Sequence, residues 1–464
     1  MISKTSKTVR LLSTLMLGVL SLFFGALAAA QTFTTVVNFN GTNGANSTAT
    51  LVQGPDGELY GNTYSGGANG KGTIFRISPA GNLTSLHSFS GTDGQNPIGG
   101  LALANQGGLI GTTFVGGAYG QNTNGYGVAF RITVSESFST VQSFDGTDGQ
   151  NPEDALAVGN DGNYYGMARL GGANGYGAIV KVTPSGVITT LHSFDGLTDG
   201  AEPIGGLVLG RDGNFYGATY DGGTNGAGTI FKVTPSGTFA VLHTFAGNDG
   251  AGSVATLLLG NDGNFYGTTG AGGVGGGGTA FRLTSWGVFT VLHSFDGADG
   301  TGPGALTQGT DGYFYGATSG GGVNNLGTVF QLNLAGAVMT LHEFSGSDGA
   351  NPYAGLVQHT NGSFYGVTYA GGPGADGTIF SVNMGLSPFV SLQSLTAKFG
   401  GTIGILGQGF TGATAVTVNG ATASFKIISD TYLTAVVPAE GFSGYVEVKT
   451  PQGVLRSSRR LQVR

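Results

Sequence analysis

One short apolar stretch ending in phenylalanine constrains this chain more than any other feature. It reads VVNF at Val36–Phe39, LHSF at Leu86–Phe89, VQSF at Val141–Phe144 and LHSF at Leu191–Phe194. It returns as LHTF at Leu242–Phe245, LHSF at Leu292–Phe295 and LHEF at Leu341–Phe344. Successive closing phenylalanines lie 50, 55, 50, 51, 50 and 49 residues apart. A period near 50 marks a repeat architecture, in which each unit must stack on its neighbours to bury its faces. The fourth period shows the plan. Leu207-Val208-Leu209 leads to an Asp212-Gly213 turn, a strong hairpin signal. Phe215–Tyr220 forms a second strand, Asp221–Gly228 a glycine-rich loop, Thr229–Val233 a third strand, and Phe239–Phe245 a fourth after the Pro235-Ser236-Gly237 turn. No segment sustains a helical period.

Four antiparallel strands per repeat predict an all-β, seven-bladed β-propeller over residues 31–384. A β-helix is the alternative, but its rungs are far shorter than 50 residues. Thr32–Phe39 has the pattern of a fourth strand with no partners before it, and the last repeat lacks a fourth strand. It is therefore expected to close the ring beside Thr378–Val382, removing an open edge. Glycine is abundant, 92 of 464 residues, without the three-residue spacing of collagen. The 17 Tyr and 29 Phe, regularly placed, argue against disorder. The glycine after the aromatic pair, Gly217 in the fourth repeat, is read as letting an adjacent blade approach. Gly222, Gly223 and Gly226 are read as positive-φ positions in a tight crossover.

Lys4, Lys7 and Arg10, the apolar run Leu11–Leu27 and Ala28-Ala29-Ala30 have the order of a secretory signal peptide over residues 1–30. An uncleaved anchor over Leu11–Ala30 is the alternative. The reading places the protein outside the cytoplasm: extracellular, on the cell surface or periplasmic. No second apolar run is long enough to span a membrane. The chain has no cysteine, which removes disulfides, thiolate ligands and a lipoprotein anchor. Residues 31–387 carry 8 Lys and Arg against 22 Asp and Glu, a balance of −14, while 388–464 carry 7 against 3, a balance of +4. The acidic ring argues against a nucleic-acid partner.

The pattern Asp-Gly-x-Phe-Tyr-Gly-x-Thr-x-x-Gly-Gly-x-x-Gly-x-Gly-Thr-Ile-Phe-Lys-Val-Thr-Pro-Ser-Gly, followed by Leu-His-Ser-Phe, resembles the GloVer tandem repeat of bacterial exported proteins. Gly171–Phe194 and Gly222–Phe245 carry it closely. The second copy has Ile110 in place of the tyrosine, and the sixth has Asn324-Asn325-Leu326 before Gly327. The resemblance implies an exported repeat protein and brings no catalytic residues. From Pro388 the repeat stops. Gly407-Gln408-Gly409-Phe410, Val416-Thr417-Val418-Asn419-Gly420, Ser429-Asp430-Thr431-Tyr432-Leu433 and Val437-Pro438 resemble an IPT/TIG immunoglobulin-like domain over 388–464, which implies a spacer or adhesion module. Arg456, Arg459, Arg460 and Arg464 read as a solvated last strand, or as contacts to an anionic surface.

Other motifs carry little chemistry. Gly273–Gly278 fits G-x-G-x-x-G but opens no helix. Gly70-Lys71 is no P-loop, and no G-x-S-x-G elbow occurs. His87, His192, His243, His293 and His342 recur on the outermost strand, too far apart for a metal site, and are read as bonded to neighbouring backbone. Asp93, Asp148, Asp199, Asp249, Asp299 and Asp348 recur between blades, where an Asx-turn is favoured over Ca²⁺ ligation. The acids outside the repeat pattern are Glu58, Glu136, Glu153, Asp154, Glu202, Asp221, Glu343 and Asp376, and no acid–base pair stands out among them.

The leading expectation is therefore a non-enzymatic surface or extracellular binding scaffold with neither cofactor nor metal. Its glycine- and Asn-rich loop face would offer Tyr119, Tyr126, Tyr176, Asp148 and Asp199 to an extracellular polysaccharide or a cell-surface component. A polysaccharide lyase or glycosidase on the same scaffold, and a structural spacer, are the alternatives.

Overall fold

The computed structural model describes residues 31–104, 108–120, 124–439 and 441–464; the signal-peptide reading of residues 1–30 lies outside them. Every regular element among the described residues is a strand. The fourth sheet in chain order is representative. Val208–Leu209, Phe215–Ala218, Thr229–Val233 and Phe239–Thr244 pair antiparallel in sequence order. The second strand stops at Ala218, earlier than its aromatic pattern suggests, because Tyr220 and Asp221 give their backbone bonds to Glu202 and Ala201 of the preceding connection.

Seven such sheets occur among the described residues. The sixth adds a fifth strand, Thr301–Pro303. The seventh takes its outer strand from the N-terminus: Thr32–Asn38 pairs with Thr378–Asn383, aligning Phe33 with Val382 and Asn38 with Thr378. Hydrophobic packing follows the same circuit. Tyr216, Ile230 and Phe245 of sheet 4 share a core with Leu257, Phe265 and Phe281 of sheet 5. Phe39, Tyr365 and Ile379 of sheet 7 share one with Leu51, Leu59 and Phe75 of sheet 1. The last sheet thus packs on the first, giving a closed, propeller-like ring. Neighbouring two-residue first strands approach one another, so they line the axis and the fourth strands form the outer edge.

A bulge repeats in every outer strand. In sheet 4, Ile230 faces His243 and Phe231 faces Val241, leaving Leu242 as the extra residue. Regular alternation would send residues 242 and 243 to opposite faces. The bulge lets both reach one seam, Leu242 against the core shared with sheet 5 and His243 stacked on Phe289 of sheet 5 at 3.8 Å.

Gly217 has a different reason from the one its position suggests. It is paired across the ladder with Phe231, and a Cβ there would lie 2.7 Å from the Phe231 ring and 2.9 Å from Leu207. Both belong to its own sheet, so the glycine makes room for a cross-strand ring rather than for an adjacent blade. Gly222 is a positive-φ position, at +72°, and lies against backbone of the preceding connection.

Residues after 388 form two four-stranded sheets. Ile403, Ile405 and Leu433 of one meet Val416, Val418, Val446 and Val448 of the other in a single core with Phe410. This unit sits on the ring at the turns that join first and second strands. Thr431 Oγ1 donates to Pro55 O (2.9 Å), Thr396 Oγ1 to Asn160 Oδ1 (2.7 Å) and Gln408 Nε2 to Thr360 Oγ1 (2.9 Å). Asn261 Nδ2 donates to Ser458 O at 3.2 Å, and Arg464 Nη2 to Arg211 O at 2.5 Å. Those turns belong to sheets 1, 3, 4, 5 and 7, so the unit lies across the axis and caps that end of the ring.

Candidate functional site

The repeated histidines are structural, but their partners are side chains rather than neighbouring backbone. His87, His192, His243, His293 and His342 each place Nε2 within 2.5–3.0 Å of Oδ2 of Asp93, Asp199, Asp249, Asp299 and Asp348. Only His293 also meets a backbone oxygen, Gly336 O at 3.1 Å. The other carboxylate oxygen caps the connection; Asp93 Oδ1 accepts from Ser90 N–H at 2.7 Å. Each aspartate thus fixes a turn and anchors an imidazole. No group of three His, Cys, Asp or Glu side chains suited to a metal comes together among the described residues.

A second repeated pair was not legible as such. Tyr60, Tyr165, Tyr216, Tyr266 and Tyr315 are buried, and their hydroxyls donate to Asp56, Asp161, Asp212, Asp262 and Asp311 at 2.6–2.9 Å. The hairpin-turn aspartate therefore satisfies the buried phenol four residues later. Burial first, then the carboxylate, pushes these phenols above their ordinary range. In Asp161 burial works the other way, but bonds from Asn163 and Tyr165 prevail and bring it down to about 2.

Tyr119, Tyr126, Tyr176, Asp148 and Asp199 lie on the glycine-loop face, beside the outer connections. The Tyr126 ring covers Gly146 and the Tyr176 ring covers Gly196; Tyr119 and Tyr176 remain exposed. Asp199 is held by His192. Asp148 has no such partner, because Gln142 occupies the histidine slot, and burial raises it to about 6. The loop asparagines are turned inward: Asn69, Asn174, Asn225 and Asn324 donate their amides to Phe89, Phe194, Phe245 and Phe344 carbonyls. The loops thus present glycine backbone and tyrosine rings more than free amides.

Repeat symmetry breaks at the axis. Two residues before the inner-strand leucine of each repeat stand Ala49, Gly99, Asp154, Gly205, Ala255, Gly304 and Ala354. Asp154 accepts from Thr256 Oγ1 of sheet 5, reaching past sheet 4. Its Oδ1 accepts from the Ala155 N–H at 2.6 Å, and the Gly206 N–H donates to the same Thr256 hydroxyl at 2.8 Å. The carboxylate and that hydroxyl thus link sheets 3, 4 and 5 near the axis. Burial raises its pKa despite these bonds. Beside it, Arg169 is held between two further acids: Nη1 lies 2.8 Å from Glu153, and Nη2 lies 2.8 Å from Glu202. The Glu153 side chain is 8% exposed, and burial raises its pKa against the pull of Arg169.

Around this mouth runs a ring of equivalent positions at the ends of the second strands: Tyr64, Phe114, Arg169, Tyr220, Gly270, Ser319 and Tyr369. Neighbouring sheets fix several of them. Asn96 donates to Tyr64 O, Asn151 to Phe114 O and Asn46 to Tyr369 O. Tyr353 meets Tyr369 edge-on at 5.5 Å, and Tyr220 and Tyr353 are exposed at 42% and 51%. The open end of the axis thus combines aromatic faces with a buried Arg–Glu pair. Reading the seven repeats column by column, rather than searching for an acid–base pair, is the signal that exposes Asp154 and this ring.

A model of the Gloeobacter/Verrucomicrobia repeat matches residues 22–123, 114–261 and 253–408. No curated protein matches the chain in sequence. Among solved structures, a streptogramin B lyase is similar at TM-score 0.54 and 15% identity, over 76% of this chain and 97% of its own. A periplasmic gluconolactonase from Pseudomonas aeruginosa is similar at TM-score 0.47 and 17% identity, over 71% and 96%. At these identities the likeness is one of propeller-like fold.

Proposed function

The chain belongs to the Gloeobacter/Verrucomicrobia repeat family, and on that premise we propose that it is an exported, non-enzymatic binding scaffold. In this reading the seven sheets are the blades of a seven-bladed propeller, and residues 388–464 are an immunoglobulin-like sandwich of IPT/TIG type. The open end of the axis takes a saccharide chain. One observation carries the reading: Tyr64, Phe114, Tyr220 and Tyr369 share with Arg169 the equivalent second-strand ends on one face of the ring, with Tyr353 edge-on to Tyr369, and aromatic faces with a few fixed polar groups suit sugar rings. Tyr119, Tyr126 and Tyr176, with Asp148 and Asp199, lie farther out on the same face, outside the proposed site. Asp154 supports a scaffold role, since its carboxylate is buried and spent on the Thr256 hydroxyl and the Ala155 N–H.

Affinity electrophoresis of the chain through gels containing neutral polysaccharides tests this. Retardation by at least one polymer, lost in Tyr220→Ala/Tyr369→Ala, is the expected result; unretarded migration in all of them overturns it.

A propeller lyase or glycosidase is the second reading, favoured by two buried carboxyls of raised pKa, Glu153 and Asp154, beside an open mouth. Release of reducing ends or unsaturated products, abolished in Glu153→Gln, would establish it over the scaffold.

A further inference from the structure

The capped end of the axis holds a cavity of about 880 Å³ between the inner strands of sheets 2–5 and the C-terminal unit. Five cationic side chains border it: Arg211 from the ring, and Lys398, Arg459, Arg460 and Arg464 from the cap. None of the five makes an ion pair among the described residues; the ion-paired cations are Arg76, Arg169, Lys181, Arg456 and the outer histidines. Their hydrogen bonds go to neutral oxygens. Arg211 donates to Asn261 O at 2.8 Å, Arg464 to Arg211 O at 2.5 Å, and Arg460 reaches Ser443 O at 3.5 Å. Among the described residues, the Arg459 guanidinium and the Lys398 ammonium have no hydrogen-bonding partner. One carboxylate borders the cavity, Asp161, and it is committed to Tyr165, Asn163 and Lys181.

A second observation points into the same space. Gln393 borders the cavity. Its Oε1 accepts from Tyr432 Oη at 3.1 Å, but its Nε2 is shielded from solvent and has no acceptor. Buried donors are nearly always paired. Arg211, Lys398, Arg460 and Arg464 reach solvent while Arg459 is partly buried, and like charges gathered at one cavity repel one another most where water is excluded. Arg459 shows that strain: burial, then the neighbouring Arg211 charge, lowers its guanidinium to about 10. The acids of the ring do not supply the missing charge. The hairpin-turn aspartates at this end are bonded to their own tyrosines, Glu136 is paired with Arg76, and the Arg169 carboxylates lie at the opposite end.

We propose that this cavity is a binding site for a small organic polyanion, a molecule carrying two or more carboxylate or phosphate groups. The guanidinium groups of Arg459, Arg460 and Arg464 would take the oxyanions, with Gln393 Nε2 as a further donor. Leu103, Val158, Leu207 and Leu259 on the ring side leave room for the ligand's carbon skeleton. The volume falls within the range of small-molecule sites, about 300–1,000 Å³. This site is separate from the aromatic mouth, and neither reading depends on the other.

Isothermal titration of the full chain with citrate, trigalacturonate and inositol hexakisphosphate tests the proposal. These three probes separate a carboxylate site, an acidic-saccharide site and a phosphate site. At least one is expected to bind one per chain, weakening about tenfold or more in Arg459→Gln and in Lys398→Gln, and weakening in 0.5 M salt. Lys398 is exposed, so that variant keeps the test valid if Arg459→Gln disturbs folding. Arg456→Gln, outside the cavity and paired with Glu447, should bind as the parent does. Absence of binding by all three probes at 1 mM overturns the proposal, as does equal weakening in Arg456→Gln, which would mean diffuse attraction to a basic surface.

Discussion

The two ends of the ring axis come from one repeat and yet differ in almost every chemical respect. At the glycine-loop end the mouth is open, rimmed by aromatic rings, and its charges are matched: Arg169 sits between Glu153 and Glu202, and Asp154 is bonded to Thr256 and to the Ala155 N–H. At the turn end a second unit covers the axis, aromatic residues are absent from the cavity lining, and five cations face it without a carboxylate partner. The repeat itself accounts for neither end. Its conserved spacing of Phe, His, Asp and Tyr is spent on seams and turns. What differs between the ends arises where one copy departs from the rest, or where the C-terminal unit adds side chains of its own.

The largest effect should come from opening the ring. Deleting residues 31–40 removes the outer strand of sheet 7 and Phe39, whose ring packs at 5.5 Å on Phe75 of sheet 1. This leaves an unpaired edge and a breached core. A fall in melting temperature of more than 10 °C with aggregation is expected by scanning calorimetry. Deleting 388–464 should leave the ring folded and abolish polyanion binding, because that deletion removes four of the five cavity cations and none of the seams. Equal damage from the two deletions would mean that the cap is part of the ring's stability and that the ends are not independent.

Asp154→Ala should cost less than the clasp but more than an ordinary core change. It leaves two donors, the Thr256 hydroxyl and the Ala155 N–H, without that acceptor at a buried position, a loss of about 2–4 kcal/mol, readable by denaturant unfolding. Arg169→Ala strips the partner from Glu153, which is 8% exposed, and should cost about 3 kcal/mol when Glu153 stays ionised. Arg169→Ala/Glu153→Gln should recover part of that loss.

These axis residues mark the boundary of what could be read from the amino-acid order alone. The strand plan was legible because Thr229–Val233 is rich in β-branched and aromatic residues and the Asp212-Gly213 turn is local chemistry. The N-terminal clasp was legible because Thr32–Phe39 repeats a fourth-strand pattern without its companions. Pairing of His243 with Asp249 was harder to see, since a bulge at Leu242 turns the imidazole to a face that simple alternation denies it. Asp154 was visible as an odd acid but not as an axial one, because its partner Thr256 comes from a repeat two sheets away. The cationic cavity was hidden for a related reason: Arg211 and Arg459 meet only through the docking of one unit on the other.

The smallest effect concerns the outer edge. Where other repeats pair His with Asp, sheet 2 offers Gln142, and burial raises Asp148 to about 6, while Asp93 and Asp348 lie below the usual carboxylate range. An unfolded aspartate titrates near 3.8. Between those values the folded chain holds a proton that the unfolded chain has lost, so stability falls as pH rises through the window and the penalty is full above it. Asp148→Asn should therefore raise the melting temperature at pH 7 by about 1–3 °C and have little effect at pH 4. Asp348→Asn, at the matched site, should instead lower it at pH 7.

The central claim is that ligand recognition resides at the open mouth of the axis and not on the outer loops. Polysaccharide affinity electrophoresis of Tyr220→Ala/Tyr369→Ala against Tyr119→Ala/Tyr176→Ala decides it. The account predicts that the mouth variant migrates without retardation, while the outer-loop variant is retarded as the parent is. Loss of retardation in the outer-loop variant, with the mouth variant unaffected, would contradict it.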